Sequence, residues 1–186
     1  MLDPKKISVC LITKDAEYPK EIWDHIAQFD FDEVLVKTMS DSPYRKHELF
    51  ARAKNDLIFY QDDDAICPIG ELLEQSDPTT INVAMKEGHH SAYKDNRATM
   101  GLGWGAIFPK KVLEVLKTYT DVYGEDDVFK RETERILTYL SFPQNRLILP
   151  IQDLPSAWGD DRLWRQPDHQ RFRFMAEERC KDLIKM

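Results

Sequence analysis

The sequence predicts an α/β protein: a mostly parallel central sheet flanked by helices. Three observations predict it. Short apolar runs of strand length alternate with stretches of helical period through the first half of the chain. The run Leu57 to Tyr60 is continuously apolar, as a strand covered on both faces is. That run ends in three consecutive carboxylates, Asp62, Asp63 and Asp64, which therefore emerge at the strand's carboxyl end, where open α/β sheets bind ligands.

Ile7 to Thr13 reads as the first strand, followed by Lys14 and Asp15. Pro19 opens a helix to about Phe29, with Ile22, Trp23 and Ile26 at helical spacing. Glu33 to Lys37 is a second strand, and Tyr44 to Ala53 a short helix. After the acids, Pro68 begins a helix toward Gln75, and Ile81 to Met85 alternates like a strand, with another in the region of Tyr93 to Met100. Gly101-Leu102-Gly103-Trp104-Gly105 is the only glycine cluster and reads as a loop or tight bend. Ala106 to Phe108 is a short strand, Lys110 to Tyr119 a helix, and Glu125 to about Leu140 a longer one. Leu147 to Ile151 is a last strand, Asp153 to Gln170 has no clean period, and a final helix closes the chain.

With 186 residues, 42% hydrophobic, the chain suits one domain over 1–186, its two halves meeting near residue 100. A net charge of -7 argues against a dedicated nucleic-acid binder. Cys10, Cys67 and Cys180 are far apart and form no CxxC pair, so they read as reduced thiols, with burial the expected role of Cys10. No apolar run approaches the roughly 20 residues that span a bilayer, and the first residues lack the apolar core of a secretory signal. A soluble, cytoplasmic protein is the expectation.

Three adjacent acids repel one another unless a cation sits among them, which points to a divalent metal. A second acidic group, Glu125-Asp126-Asp127 after Gly124, stands where a helix begins. Acids there complement the helix dipole, and Asp caps helices well. The same position would also keep a general base ionised, though less basic.

The order of these motifs resembles the GT-A fold nucleotide-sugar glycosyltransferases, particularly the family 2 type. The residues that carry it are the strand Ile7 to Thr13, the second strand with its following acidic turn, the Arg-containing helix, the DxD motif Asp62-Asp63-Asp64, the loop Gly101 to Gly105, and Glu125-Asp126 with Phe129. It covers roughly residues 7 to 140, about three-quarters of the chain. The resemblance implies a Rossmann-like GT-A fold and transfer from a UDP- or GDP-sugar to an acceptor hydroxyl, inverting, assisted by Mn²⁺ or Mg²⁺. It makes Asp64 the leading metal ligand, with Asp62 at the ribose or the metal. Asp63 would face away or order the loop. Asp126 becomes the base, with Asp127 its close alternative. Thr13, Asp15, Asp41 and Arg52 would hold the nucleotide, Arg52 by pairing with Asp62 or approaching the diphosphate. The turn at Asp41 is shorter than the family's usual one.

Arg and Trp gather between Arg162 and Arg171. There Arg162 and Arg165 suit phosphate, and His169 suits the metal, as in several GT-A enzymes. The bland reading of that stretch is a surface loop with a capping Asp168. Adjacent His89 and His90 make a poor metal pair on a strand. Trp104 offers either an acceptor platform or a core side chain.

Two other functions compete. A nucleotidyltransferase-like enzyme would carry a glycine-rich phosphate loop after its first strand, and Lys14 to Pro19 contains no glycine. A sugar-nucleotide-binding protein without turnover would not need acids at both places. The expected acceptor is a carbohydrate or lipid-linked one. The chain is small for the fold, which leaves part of the acceptor site to a partner or to a second copy in a homo-oligomer.

Overall fold

The computed structural model of the chain describes residues 1–13, 18–38, 46–88, 101–155 and 167–186. β1, Ile7–Thr13, is buried at every position. It lies between β2, Glu33–Thr38, and β3, Leu57–Gln61, and runs parallel to both. Its side chains alternate between two cores. Ile7, Val9 and Leu11 meet Ile22 and Ile26 of α1, Lys20–Ile26, on one face. Cys10 and Ile12 meet Leu49 and Phe50 of α2, Lys46–Arg52, on the other. A strand flanked by helices on both faces has no polar side, which is why its sequence reads as a continuous apolar run.

Chain order then sets the geometry of the sheet. The path goes from β1 to β2 on one side, crosses back, and places β3 on the other side of β1. The described six-stranded sheet has the order β2-β1-β3-β6-β5-β7. β5 is Asn82–Met85, β6 Ala106–Pro109 and β7 Asn145–Ile148. β6 runs antiparallel to both β3 and β5, while β7 is parallel to β5, so five strands share one direction and β6 opposes them. The mostly parallel α/β sheet flanked by helices is therefore the observed fold.

A separate two-stranded ribbon pairs β4, Ala65–Ile66, with β8, Gln152–Asp153. The remaining helices are α3, Ile69–Gln75, α4, Glu114–Tyr123, α5, Asp127–Leu140, and α6, His169–Lys185. α6 packs on α5 through Ala176 and Cys180. All three cysteines are buried free thiols. Among the described residues no helix is long and apolar enough to cross a membrane.

Several boundaries differ from the sequence reading. α1 stops at Ile26, and the apolar period continues to Phe29 in a tightened turn, where Phe29 N–H donates to Ile26 O at 3.0 Å. The helix expected from Lys110 opens as a 3-10 turn over Lys110–Leu113, and its α-helical part extends past Tyr119 to Tyr123. The strand expected at Leu147 to Ile151 begins at Asn145 and ends at Ile148, ahead of Pro150, which has no N–H to offer a ladder. The chain resumes as β8, a short strand that the sequence pattern does not predict. The strand expected near Tyr93 to Met100 lies outside the described residues, except that its last boundary adjoins Gly101.

α5 kinks at Glu132, whose φ of -117° and ψ of 24° are not helical. Beside it the Thr133 hydroxyl donates to Phe129 O at 2.6 Å, a back-bond that bends helices.

The glycine bend is a 3-10 turn over Leu102–Trp104 that ends at Gly105, with φ of 121°. A Cβ on Gly105 would lie 2.7 Å from Cys67 Cβ in a left-handed backbone. Gly124 has a φ of 70° in open space. Gly105→Ala is therefore expected to cost about 3 kcal/mol, from strain plus overpacking. Gly124→Ala should cost only about 1 kcal/mol. Urea unfolding of the two variants measures the difference, and equal losses would contradict the assigned contact with Cys67.

Candidate functional site

The carboxyl ends of β1 and β3 lie side by side, in a register that pairs Leu11 with Gln61. Thr13 ends β1, and its hydroxyl donates to Asp63 Oδ2 at 3.2 Å. Asp63 is buried, with 5% of its surface accessible, whereas Asp62 and Asp64 are part-exposed. The turn that carries them is tied on every side. The Tyr18 hydroxyl donates to Asp62 O at 2.9 Å, and Asp62 N–H donates to Gly103 O at 2.9 Å. The Gln61 amide donates to Ala65 O at 2.7 Å and accepts from Cys67 N–H at 3.3 Å. Leu154 N–H, just after β8, donates to Asp64 O at 2.8 Å. Burial pushes the Tyr18 hydroxyl far above its ordinary range, and the three nearby carboxylates add to it.

Asp62 already has a cation. Lys46, at the start of α2, reaches Asp62 Oδ1 at 3.1 Å and also pairs with Glu134 of α5. The Tyr60 hydroxyl donates to Asp62, and Glu134 Oε2 accepts Leu102 N–H at 2.7 Å. One ammonium therefore serves two carboxylates in a sheltered pocket. Burial favours the neutral amine of Lys46, yet Asp62 and Glu134 outweigh it and hold the ammonium above its usual range. Burial pushes the Asp62 carboxyl up, and the Glu134 charge adds to this against the pull of Lys46. Gly103 is needed here because a Cβ would lie 2.8 Å from Asp62 Cγ. Trp104, next in the bend, lies under Lys86 Nζ at 5.1 Å, and Lys86 pairs with Asp153 of β8.

Sequence reasoning missed Lys46 and Glu134. They lie 88 residues apart, with no local pattern linking them. The cation at Asp62 is Lys46, while Arg52, expected either to pair there or to approach the diphosphate, stands exposed at the other end of α2.

Asp126 caps α5, accepting Phe129 N–H at 3.0 Å, and its other oxygen takes Arg179 of α6 at 2.8 Å. Burial opposes its ionisation, but the Phe129 N–H and the Arg179 guanidinium outweigh that and hold the carboxyl below its ordinary range. Asp127 opens the helix and Glu125 precedes the cap, both exposed. Asp126 and Glu134 sit on one helix eight positions apart, about 12 Å of helical rise. The structure thus does not bring Asp126 into contact with the acidic turn.

His169 begins α6, with Nδ1 3.8 Å from Glu132 Oε1 at the kink of α5. Arg135 bonds both Glu132, at 3.3 Å, and Glu177, at 2.6 Å. Asp15, Asp41, Arg162 and Arg165, together with His89, His90, Trp158 and Trp164, lie outside the described residues.

Among the described residues no group of three or more His, Cys, Asp or Glu side chains is gathered so as to hold a metal ion. The acidic turn offers hard oxygen donors of the kind Mg²⁺ and Mn²⁺ accept. Asp62 is occupied by Lys46 and Tyr60, and Asp63 by Thr13. A divalent ion at this turn would need further oxygens from a bound substrate and water.

No family model matches the chain, and no curated protein matches it. Among solved structures it is similar to one described as a glycosyltransferase involved in the glycosylation of the major capsid of PBCV-1. The likeness has 11% identity and a TM-score of 0.40, over 76% of this chain and 80% of that one. It is too distant to assign chemistry to any residue.

Two predictions test this geometry. Lys46→Met should cost about 3 kcal/mol or more, because it leaves two carboxylates together without a cation. Adding Glu134→Gln should recover part of the loss, and a denaturant double-mutant cycle reads the coupling; additive losses would sink the shared-cation arrangement.

The second concerns pH. Burial raises Glu132 to about 7 despite Arg135, and burial together with Arg173 and Arg135 lowers His169 to about 4. Between pH about 4.5 and 7 the folded state binds the Glu132 proton more tightly than the unfolded chain does, so that contribution falls as pH rises. Between about 4 and 6.5 the folded state holds the His169 proton less tightly, so its contribution rises with pH. The two slopes oppose each other in the wild type. Glu132→Gln should leave stability rising with pH across this window, and His169→Asn should leave it falling. Thermal melts of both variants from acid to neutral pH check the signs.

Proposed function

We propose that the chain transfers a sugar from a nucleoside-diphosphate donor, UDP- or GDP-linked, to the hydroxyl of a carbohydrate or lipid-linked acceptor. One observation carries this reading: the acidic turn stands at the topological switch point of the sheet. The connections from β1 to β2 and from β2 to β3 depart to opposite sides of β1, with α1 and α2 on opposite faces. The strand order therefore reverses between β1 and β3, the place at which doubly wound sheets take nucleotides. Thr13 and Asp63 meet at that point, with Asp62 and Asp64 on either side.

In this reading Thr13, Asp62 and Asp63 shape the floor of the donor site, and Lys46 keeps the turn from repelling a diphosphate. Asp15, Asp41, Arg52, Arg162 and Arg165 are the proposed remaining donor contacts. Mg²⁺ or Mn²⁺ would be held by Asp64 with donor phosphate oxygens and water, a combination Mg²⁺ favours, and would offset charge on the leaving diphosphate. His169 is set against Glu132 and would have to leave it to join them.

Asp126 is the proposed base. The acceptor hydroxyl gives it a proton while the oxygen bonds the anomeric carbon, and the bond to the diphosphate breaks with its electron pair on the departing oxygen. Attack opposite the leaving group inverts the centre. Because Arg179 and the helix terminus keep Asp126 ionised, it accepts the proton late, once the sugar carries oxocarbenium character.

Calorimetric titration with UDP and with GDP, each with and without Mn²⁺, tests the donor site. The expected result is tight binding of one nucleotide only when Mn²⁺ is present, weak or absent binding of Mn²⁺ alone, and loss of the metal dependence in Asp64→Ala. Failure of both nucleotides to bind would overturn the donor assignment. Metal-dependent binding that survives Asp64→Ala would overturn the ligand assignment.

A further inference from the structure

Among the described residues β2 is the end strand of the sheet, paired on one side only. Such a strand presents unpaired N–H and C=O groups and is a template for another strand. Its outward apolar residues, Val34 and Val36, are 39% and 42% exposed. Val34 also lines a groove of about 330 Å³ with Trp23, Ile26, Phe29 and Phe31. Trp23 is itself 44% exposed. Edge, valines and groove form one continuous apolar face that the rest of the described chain leaves uncovered.

The residue order of β2 says what could cover it. Glu33-Val34-Leu35-Val36-Lys37 has an acid at one end, a base at the other and three apolar residues between, so reversed it is its own charge complement. Laid antiparallel on a second copy and centred on Leu35, each Glu33 stands opposite a Lys37 and each Val34 opposite a Val36. Opposite charges directly across an antiparallel pair stabilise it, and like charges destabilise it. Slipping the register by two residues puts Lys37 opposite Leu35. Slipping it by four puts Lys37 opposite Lys37, or Glu33 opposite Glu33. The charges therefore select one register, and a two-fold axis through Leu35 satisfies the self-complementarity a closed dimer needs. Leu35 and its odd-numbered neighbours face α2, where Glu33 accepts from Ser8 and from Lys54 N–H, and Lys37 meets Glu48 at 2.9 Å. The even-numbered valines face the α1 groove, so the partner's Val36 would cap its mouth.

The geometry points to a homodimer formed by antiparallel pairing of β2 with β2 of a second copy, extending the sheet across both chains. The test is sedimentation velocity of the full chain up to roughly 100 µM, well above a micromolar dissociation constant. Wild type should sediment as a dimer, and Val36→Lys, at an already exposed position, as a folded monomer. Glu33→Lys alone and Lys37→Glu alone should each be monomeric, because each sets like charges face to face. Mixed, they should form a heterodimer, since every facing pair is then opposite in sign. A monomeric wild type would overturn the proposal, as would a dimer that survives both Val36→Lys and Lys37→Glu. Those two variants carry the test if Glu33→Lys, which loses its bonds to Ser8 and Lys54, does not fold; circular dichroism distinguishes that outcome.

Discussion

The sharing of Lys46 between Asp62 and Glu134 is the contact on which the rest of the site depends. It joins the start of α2, the carboxyl end of β3 and the far half of α5 at one ammonium group. Glu134 passes the connection to the glycine bend through Leu102 N–H, and Asp62 N–H closes the loop on Gly103 O. Two carboxylates with one cation, sheltered from water, depend on that cation, because removing it leaves two acids together unpaired. The acidic turn is therefore a rigid part of the protein, with the three acids in different roles: one paired, one buried on Thr13, one beside β8.

Topology places that turn where the strand order of the sheet reverses. Because β3 returns to the far side of β1, the strand order reverses between them, and Thr13 meets Asp63 at that point. The antiparallel β6 has a related consequence. It enters the sheet from the same end at which β3 leaves it, so the bend before β6 packs directly on the acids. Gly103 and Gly105 are glycines because Asp62 and Cys67 occupy the space a side chain would need.

α5 connects the acidic turn to the second acidic group. Its cap, Asp126, is secured by Arg179 of α6, its kink at Glu132 meets Arg135 and His169, and its far half supplies Glu134. The helix therefore links the proposed base and the donor site through its own backbone and through α6, while holding them about two turns apart. His169, read from the sequence as a metal ligand, belongs to this helix-helix contact, where burial among arginines favours its neutral form.

What the sequence determined by itself was whatever depends on near neighbours along the chain. The buried strand Leu57 to Tyr60, the acids that follow it, the α/β alternation and the tight bend at Gly101 to Gly105 are written in period, run length and glycine content. Asp126 as a helix cap was legible for the same reason, and the boundary errors came where turns tightened or Pro150 cut a strand short. Only the tertiary structure decided which cation meets Asp62. Arg52 and Lys46 lie on the same short helix, and the choice turned on which end of α2 faces α5. Glu134 and Arg179 carry no local signature, because their partners stand 88 and 53 residues away. Charge pairing across such distances is set by packing of whole elements, and no periodicity along the chain encodes it.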